Sequence, residues 1–237
     1  MKTKFKLIAL DADDTLWHNI PLFNTTEARF REILTASQDT DTIEQRLYQT
    51  EKRNLEHFGY GVKSFTLSMI ETAIELTEGH IPATHIQEII DLGREMLKAP
   101  VELLDGAEET IRILAEQVPL MLLTKGDLLS QESKLARSGL GGYFSAIEIV
   151  SKKDTDTYRK ILRRNDLQPS QFLMVGNSIQ SDVLPVLEAG AAAVHIPYHT
   201  TWVHEQADME ALQGKDFTCL ESLRELPAWL TQTEWIR

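Results

Sequence analysis

From residue 101 to about residue 196 the chain repeats one pattern: a short apolar run, a polar or glycine-containing break, then a stretch with helical spacing. The apolar runs are residues 119–123, 146–150, 172–175 and 192–196, each too short for a helix and lacking its period. Helical stretches end near Gln117 and at Ser138, and others cover 155–165 and 181–189; Gly139 and Gly190 close two of them. Strands alternating with helices imply a parallel sheet covered on both faces, because parallel neighbours need a crossover connection. One more buried strand, residues 5–10, stands apart near the start and stops at Asp11.

What separates that strand from the rest is helical. Phe30, Ile33 and Leu34 share helical spacing, as do Leu67, Ile70, Ile74 and Leu76, and Ile86, Ile89, Ile90, Met96 and Leu97. Gly59-Tyr60-Gly61 and Gly79-His80 followed by Pro82 interrupt the pattern, which gives three or four helices and no convincing strand. The expected organisation is an α/β domain made of residues 1–16 and 100–237, with residues 17–99 inserted as a helical domain.

Charge and composition narrow the function. The 24 Lys+Arg against 36 Asp+Glu leave a net charge of −12, a poor match for nucleic acid or an anionic membrane surface. An anionic substrate would therefore need a local device, most simply a bound cation. The lone cysteine, Cys219, cannot form an intramolecular disulfide, which fits a cytoplasmic protein. No stretch approaches the length of a membrane span, and the apolar run after Lys2, Lys4 and Lys6 is too short for a signal-peptide core.

In an open parallel sheet, ligands bind beyond the carboxyl ends of the strands. There this chain places Asp11, Asp13 and Thr15, then Thr124, Lys125 and Asp127, then Ser151, Lys152 and Lys153, then Gly176, Asn177, Ser178 and Asp182. Asp11 and Asp13 repel unless a cation or a proton intervenes. Oxygen ligands of this kind suit Mg²⁺, which keeps open positions for a substrate phosphate. Thr124, Lys125 and a lysine after the third strand are candidate phosphate-binding residues.

These clusters resemble, in order, the four motifs of the haloacid dehalogenase-like hydrolase superfamily. Asp11-Ala12-Asp13-Asp14-Thr15 resembles motif I, Asp-x-Asp-x-Thr; Thr124 matches motif II; residues 152–158 resemble the motif III pattern Lys-Pro-Asp-Pro-Glu-x-Phe; residues 175–182 resemble motif IV, Gly-Asp-Ser-x-x-x-Asp. The motif III register selects Lys152 as the functional lysine. The resemblance implies a Rossmann-like core with a helical cap of the C1 type, and a Mg²⁺-dependent phosphatase acting on a small phosphorylated metabolite such as a nucleotide or sugar phosphate. It assigns Asp11 as nucleophile, Asp13 as general acid and base, and Thr124 and Lys152 to stabilise the transferring phosphoryl group. Asp11, the backbone carbonyl of Asp13, Asn177 and Asp182 are its expected metal ligands.

Asp13 argues against carbon–halogen cleavage, because true dehalogenases of the superfamily lack this second aspartate. Asn177 stands where motif IV usually carries Asp, which implies weaker Mg²⁺ binding. The alternatives are a phosphosugar mutase-type phosphotransferase and a non-catalytic phosphate-binding regulator. Trp17, His18 and Asn19 read as a hinge into the cap or as substrate contacts, Gly59-Tyr60-Gly61 as a helix turn or a specificity loop, and Asp127 as a helix cap. His195, His199 and His204 read as part of a loop near the end of the fifth strand, with a transition-metal site as the alternative.

Overall fold

A computed structural model describes residues 5–35, 38–200, 212 and 214–233. The chain divides into two compact units. One holds residues 1–18, 101–125 and 134–237, and the other holds residues 19–100 and 126–133. Residues 126–133 therefore group with the helices, whereas the sequence reading had assigned them to the sheet domain. Lys63 Nζ bonds both Asp127 oxygens at 3.0 and 3.1 Å, which ties this segment to the helical unit.

Among the described residues the sheet unit carries six strands in the order β3-β2-β1-β4-β5-β6. They are β1 (Leu7–Leu10), β2 (Leu120–Lys125), β3 (Ala146–Val150), β4 (Phe172–Gly176), β5 (Ala192–His195) and β6 (Thr218–Cys219). Every neighbouring pair is parallel. Side chains alternate across a strand, so consecutive residues feed two cores. Ile8, Leu10, Leu120, Leu122, Leu173 and Val175 face one core, shared with α5 (Ala107–Ala115) and α9 (Leu226–Gln232). Leu7, Ala9, Met121, Leu123, Phe172 and Met174 face the other, shared with α7 (Thr155–Arg164) and α8 (Leu184–Glu188). A strand buried on both faces has no polar side, which is why these strands read as unbroken apolar runs. The short β6 carries no such run and escaped the sequence reading.

The helical unit contains α1 (Ile20–Leu34), α2 (Thr40–Phe58), α3 (Val62–Leu76) and α4 (Ala83–Lys98). Phe30, Leu34, Ile43, Leu47, Phe65, Met69, Ile89 and Met96 form its core. The expected apolar face of α3 is displaced: Leu67 and Ile74 are exposed, while Ser64, Ser68 and Thr72 are buried. Of these hydroxyls Ser68 is paired inside the helical unit, while the buried Thr72 hydroxyl has no hydrogen-bond partner among the described residues. Ser68 donates to Ser64 O at 2.9 Å and accepts from Asn54 Nδ2 at 3.1 Å. Gly59 (φ 69°) and Gly61 (φ 122°) shape the turn between α2 and α3. Among the described residues no helix is long and apolar enough to cross a membrane.

Candidate active site

The carboxyl ends of β1, β2 and β4 lie side by side, since Leu10 pairs with both Leu122 and Val175. Asp11 follows at once, its N–H donating to Val175 O at 2.9 Å. The chain then curls tightly: Leu16 N–H returns to Ala12 O at 2.8 Å and Asp14 N–H to Trp17 O at 2.7 Å. Asp14 takes φ 60°, a left-handed conformation that aspartate tolerates better than most side chains. Leu104 N–H to Leu16 O and His18 N–H to Glu102 O, both 2.9 Å, fasten the curl to the chain before α5.

This curl brings Thr15 back beside Asp11. The Thr15 hydroxyl lies 3.3 Å from Asp11 Oδ2 and 3.2 Å from Asn177 Oδ1, and it accepts from Asn177 N–H at 3.1 Å. One hydroxyl thus sets the spacing between the ends of β1 and β4.

Opposite Thr15 stands a lysine, but not the expected one. Lys152 is exposed; Lys153 is buried, and its Nζ bonds Asp11 Oδ1 and, at 2.7 Å, Asp182 Oδ1. The structure thus directs Lys153 at Asp11, where the motif III register had pointed to Lys152. Asp154 caps α7, accepting from Thr157 N–H at 2.8 Å, and Tyr158 anchors that helix in the core. With the helix fixed from Asp154 onward, the side chain directed at Asp11 is the one immediately before the cap. The spacing from the lysine that meets Asp11 to the anchoring aromatic is therefore five residues instead of the pattern's six, and counting back from Tyr158 could not have revealed that.

Asp182 sits in a π-helical turn, Ile179–Val183, and is fully buried. Its Oδ2 accepts from Ser178 N–H at 3.0 Å, so both of its oxygens are engaged. Gly176 makes room for it, since a Cβ there would lie 2.2 Å from Asp182 Oδ2. Asp182 therefore holds Lys153, while Asn177 Oδ1 lies beside the Thr15 hydroxyl, 3.2 Å away. Lys125 Nζ reaches Ser181 Oγ at 2.8 Å, and Thr124 is buried at the end of β2.

Electrostatics distinguish the two motif I aspartates. Burial pushes Asp11 up to about 7; Lys153 pulls against this and Asp182 adds to it. Burial also works against the Lys153 ammonium, but Asp11 and Asp182 outweigh it and hold the amine charged above lysine's usual range. Two buried carboxylates around one ammonium leave one negative charge uncompensated. Asp13 is half-buried and differently held. Trp17 Nε1 donates to its Oδ1 at 2.6 Å, and Lys134, on α6 (Leu128–Ser138), bonds both oxygens at 2.8 and 2.9 Å. Neither Lys134 nor this use of Trp17 was legible in the sequence, because no motif marks Lys134 and the match across 121 positions exists only in the fold.

The donor set suits a hard cation: Asp11 Oδ2 and Asn177 Oδ1 flank the same hydroxyl, and both are oxygens. Among the described residues no three of His, Cys, Asp and Glu gather to hold a metal. His195 Nε2 lies 3.0 Å from Asn177 O, His199 stacks on Tyr198 with centroids 4.0 Å apart, and His204 lies outside the described residues. His18 Nδ1 lies 2.6 Å from Tyr198 OH. Asp127 accepts from Ser130 N–H at 3.1 Å, at the start of α6.

The family model for haloacid dehalogenase-like hydrolases matches residues 5–190. The chain belongs to that family. A haloacid dehalogenase-like hydrolase from Xanthomonas campestris has a similar structure, with a TM-score of 0.86 and 40% identity over 96% of this chain and 91% of that one. Mouse N-acylneuraminate-9-phosphatase is 27% identical over 167 residues, 68% of this chain and 65% of its own length. Glyceraldehyde 3-phosphate phosphatase of Methanothermobacter thermautotrophicus is 26% identical over 114 residues, 45% of this chain and 49% of its own. The match thus spans about two thirds or less of these curated relatives.

Proposed function

We propose that this protein is a Mg²⁺-dependent phosphatase of small phosphorylated metabolites, working in the cytoplasm through an aspartyl-phosphate on Asp11. The observation that carries the reading is the division of labour between two aspartates on one strand end. Asp11 is buried against Lys153 and Thr15, while Asp13 stands half-buried on Trp17 and Lys134. Two carboxylates in distinct surroundings suit distinct roles.

In this mechanism an Asp11 carboxylate oxygen attacks phosphorus, and the bond from phosphorus to the leaving oxygen breaks. Asp13 gives that oxygen its proton, then accepts a proton from the water that attacks the phosphoryl-aspartate. The bond from phosphorus to Asp11 breaks, releasing inorganic phosphate. Lys153, Thr124 and Lys125 stabilise the phosphoryl charge. Asp11, Asn177 and the Asp13 backbone carbonyl are the groups that would hold Mg²⁺, which when bound supplies positive charge to the phosphate and to Asp11. The relatives named as phosphatases of an acylneuraminate 9-phosphate and a triose phosphate support a small sugar-like ester as substrate.

The test is phosphate release from p-nitrophenyl phosphate and a panel of sugar phosphates and nucleotides, with Mg²⁺ and with EDTA, in wild type and Asp11→Asn. Release that needs Mg²⁺ and disappears in Asp11→Asn supports the reading. No release from any ester, or an isomeric sugar phosphate in place of free phosphate, contradicts it.

A further inference from the structure

Asp13 is gripped from two sides by groups of different origin. The Trp17 indole reaches Oδ1 at 2.6 Å from the end of the curl after β1, and Lys134 spans both oxygens from α6 at 2.8 and 2.9 Å. Neither donor is loosely placed. Trp17 is 1% exposed and forms an antiparallel bridge to Leu103, so its ring is fixed by the core. The Lys134 side chain is only 13% exposed, and withdrawing an ammonium from water to that degree is tolerable when a carboxylate meets it. Asp13 by itself is a short side chain on a loop, free to rotate about two bonds. Three hydrogen bonds from two directions hold it to one orientation.

We propose that Lys134, together with Trp17, is a positioning residue that fixes the Asp13 carboxylate for proton transfer to and from the reacting oxygen. This rests on the phosphatase reading. The expected consequence is selective. A leaving group that departs as a stable aryl oxide needs no proton, whereas an alkoxide does, so a misplaced acid slows alkyl esters most. The value of kcat/KM reports the steps up to the first irreversible bond cleavage and isolates this effect from the later attack of water.

The experiment compares kcat/KM for p-nitrophenyl, phenyl and ethyl phosphate in wild type, Lys134→Met and Lys134→Arg, each with Mg²⁺. In Lys134→Met the p-nitrophenyl ester is expected to change by less than about threefold and the ethyl ester to fall about a hundredfold, the size of a displaced catalytic group. Lys134→Arg should recover part of the loss. Equal losses across the three esters, or none, overturn the proposal. A second readout needs no turnover: the indole ¹H–¹⁵N resonance of Trp17, assigned by its absence in Trp17→Phe, should shift and exchange faster with solvent in Lys134→Met. An unchanged resonance overturns the proposal on its own. If wild type released no phosphate from any ester, the phosphatase reading would fall, and the indole resonance alone would decide whether Lys134 sets Asp13.

Discussion

The Lys153 ammonium lies 2.7 Å from Asp182 Oδ1 and also bonds Asp11, so one buried cation joins the end of β1 to the turn after β4. The side chains of Lys153 and Asp182 are each 1% exposed, and neither charge has water to fall back on. Replacing Lys153 by Met should leave two buried carboxylates uncompensated, costing about 3–5 kcal/mol of stability. It should also lower kcat about a hundredfold or more through lost phosphoryl stabilisation. Lys152→Met, on the exposed side, should stay within about 0.5 kcal/mol of wild type. Urea denaturation and phosphate-release kinetics of the two variants side by side check both; the reverse ranking would restore the motif III register.

Gly176 is required by its neighbour rather than by its own backbone. A methyl group there would meet Asp182 Oδ2 at 2.2 Å, and Asp182 is held in place by Ser178 N–H and Lys153. Gly176→Ala should therefore destabilise by about 1–3 kcal/mol and displace Lys153 from Asp11. Gly142, with nothing within 4 Å of a built Cβ, is the matched control, and Gly142→Ala should be nearly neutral. Thermal denaturation of the pair reads the difference.

Asp11 makes the pH dependence of the metal-free protein unusual. Its folded pKa, about 7, lies above the ordinary 3.8, so the folded state binds the proton more tightly than the unfolded state. The contribution is fully present below 3.8 and is lost as pH rises through about 7. In EDTA, the stability of wild type relative to Asp11→Asn should fall between those limits by up to about 4 kcal/mol, at 1.36 kcal/mol per unit. Added Mg²⁺ should remove most of that fall by favouring the carboxylate. Denaturant unfolding at a series of pH values measures it, and a wild type that gains on Asp11→Asn over this range would contradict the assignment.

Asn177 offers Mg²⁺ a neutral amide oxygen beside Asp11. A carboxylate binds a hard cation more strongly, so Asn177→Asp should tighten Mg²⁺ binding about tenfold. Isothermal titration of the phosphate-free protein reads this directly; unchanged affinity would remove Asn177 from the ligand set.

Much of this was legible because strand ends are marked by abrupt changes in polarity. The apolar run of β1 stops at Asp11, that of β2 at Thr124, that of β4 at Gly176, and parallel pairing brings such ends together. What the sequence concealed depends on side-chain direction and distant contacts. Two adjacent lysines differ only in which way they point, and Asp154 decides that by starting a helix. Leu67 and Ile74 carry the right spacing but face outward, while α3 buries Ser64, Ser68 and Thr72, of which Ser68 bonds within the helical unit. Lys134 meets Asp13 only once α6 packs beside the curl.

The most direct measurement is to trap the phosphorylated protein. Acid quenching during turnover of p-nitrophenyl phosphate, borohydride reduction and peptide mass spectrometry would locate any acyl-phosphate by conversion of an aspartate to homoserine. Conversion confined to Asp11, and absent without substrate, is the expected result. Conversion at another residue, or none under conditions in which phosphate is released, would contradict Asp11 as the nucleophile.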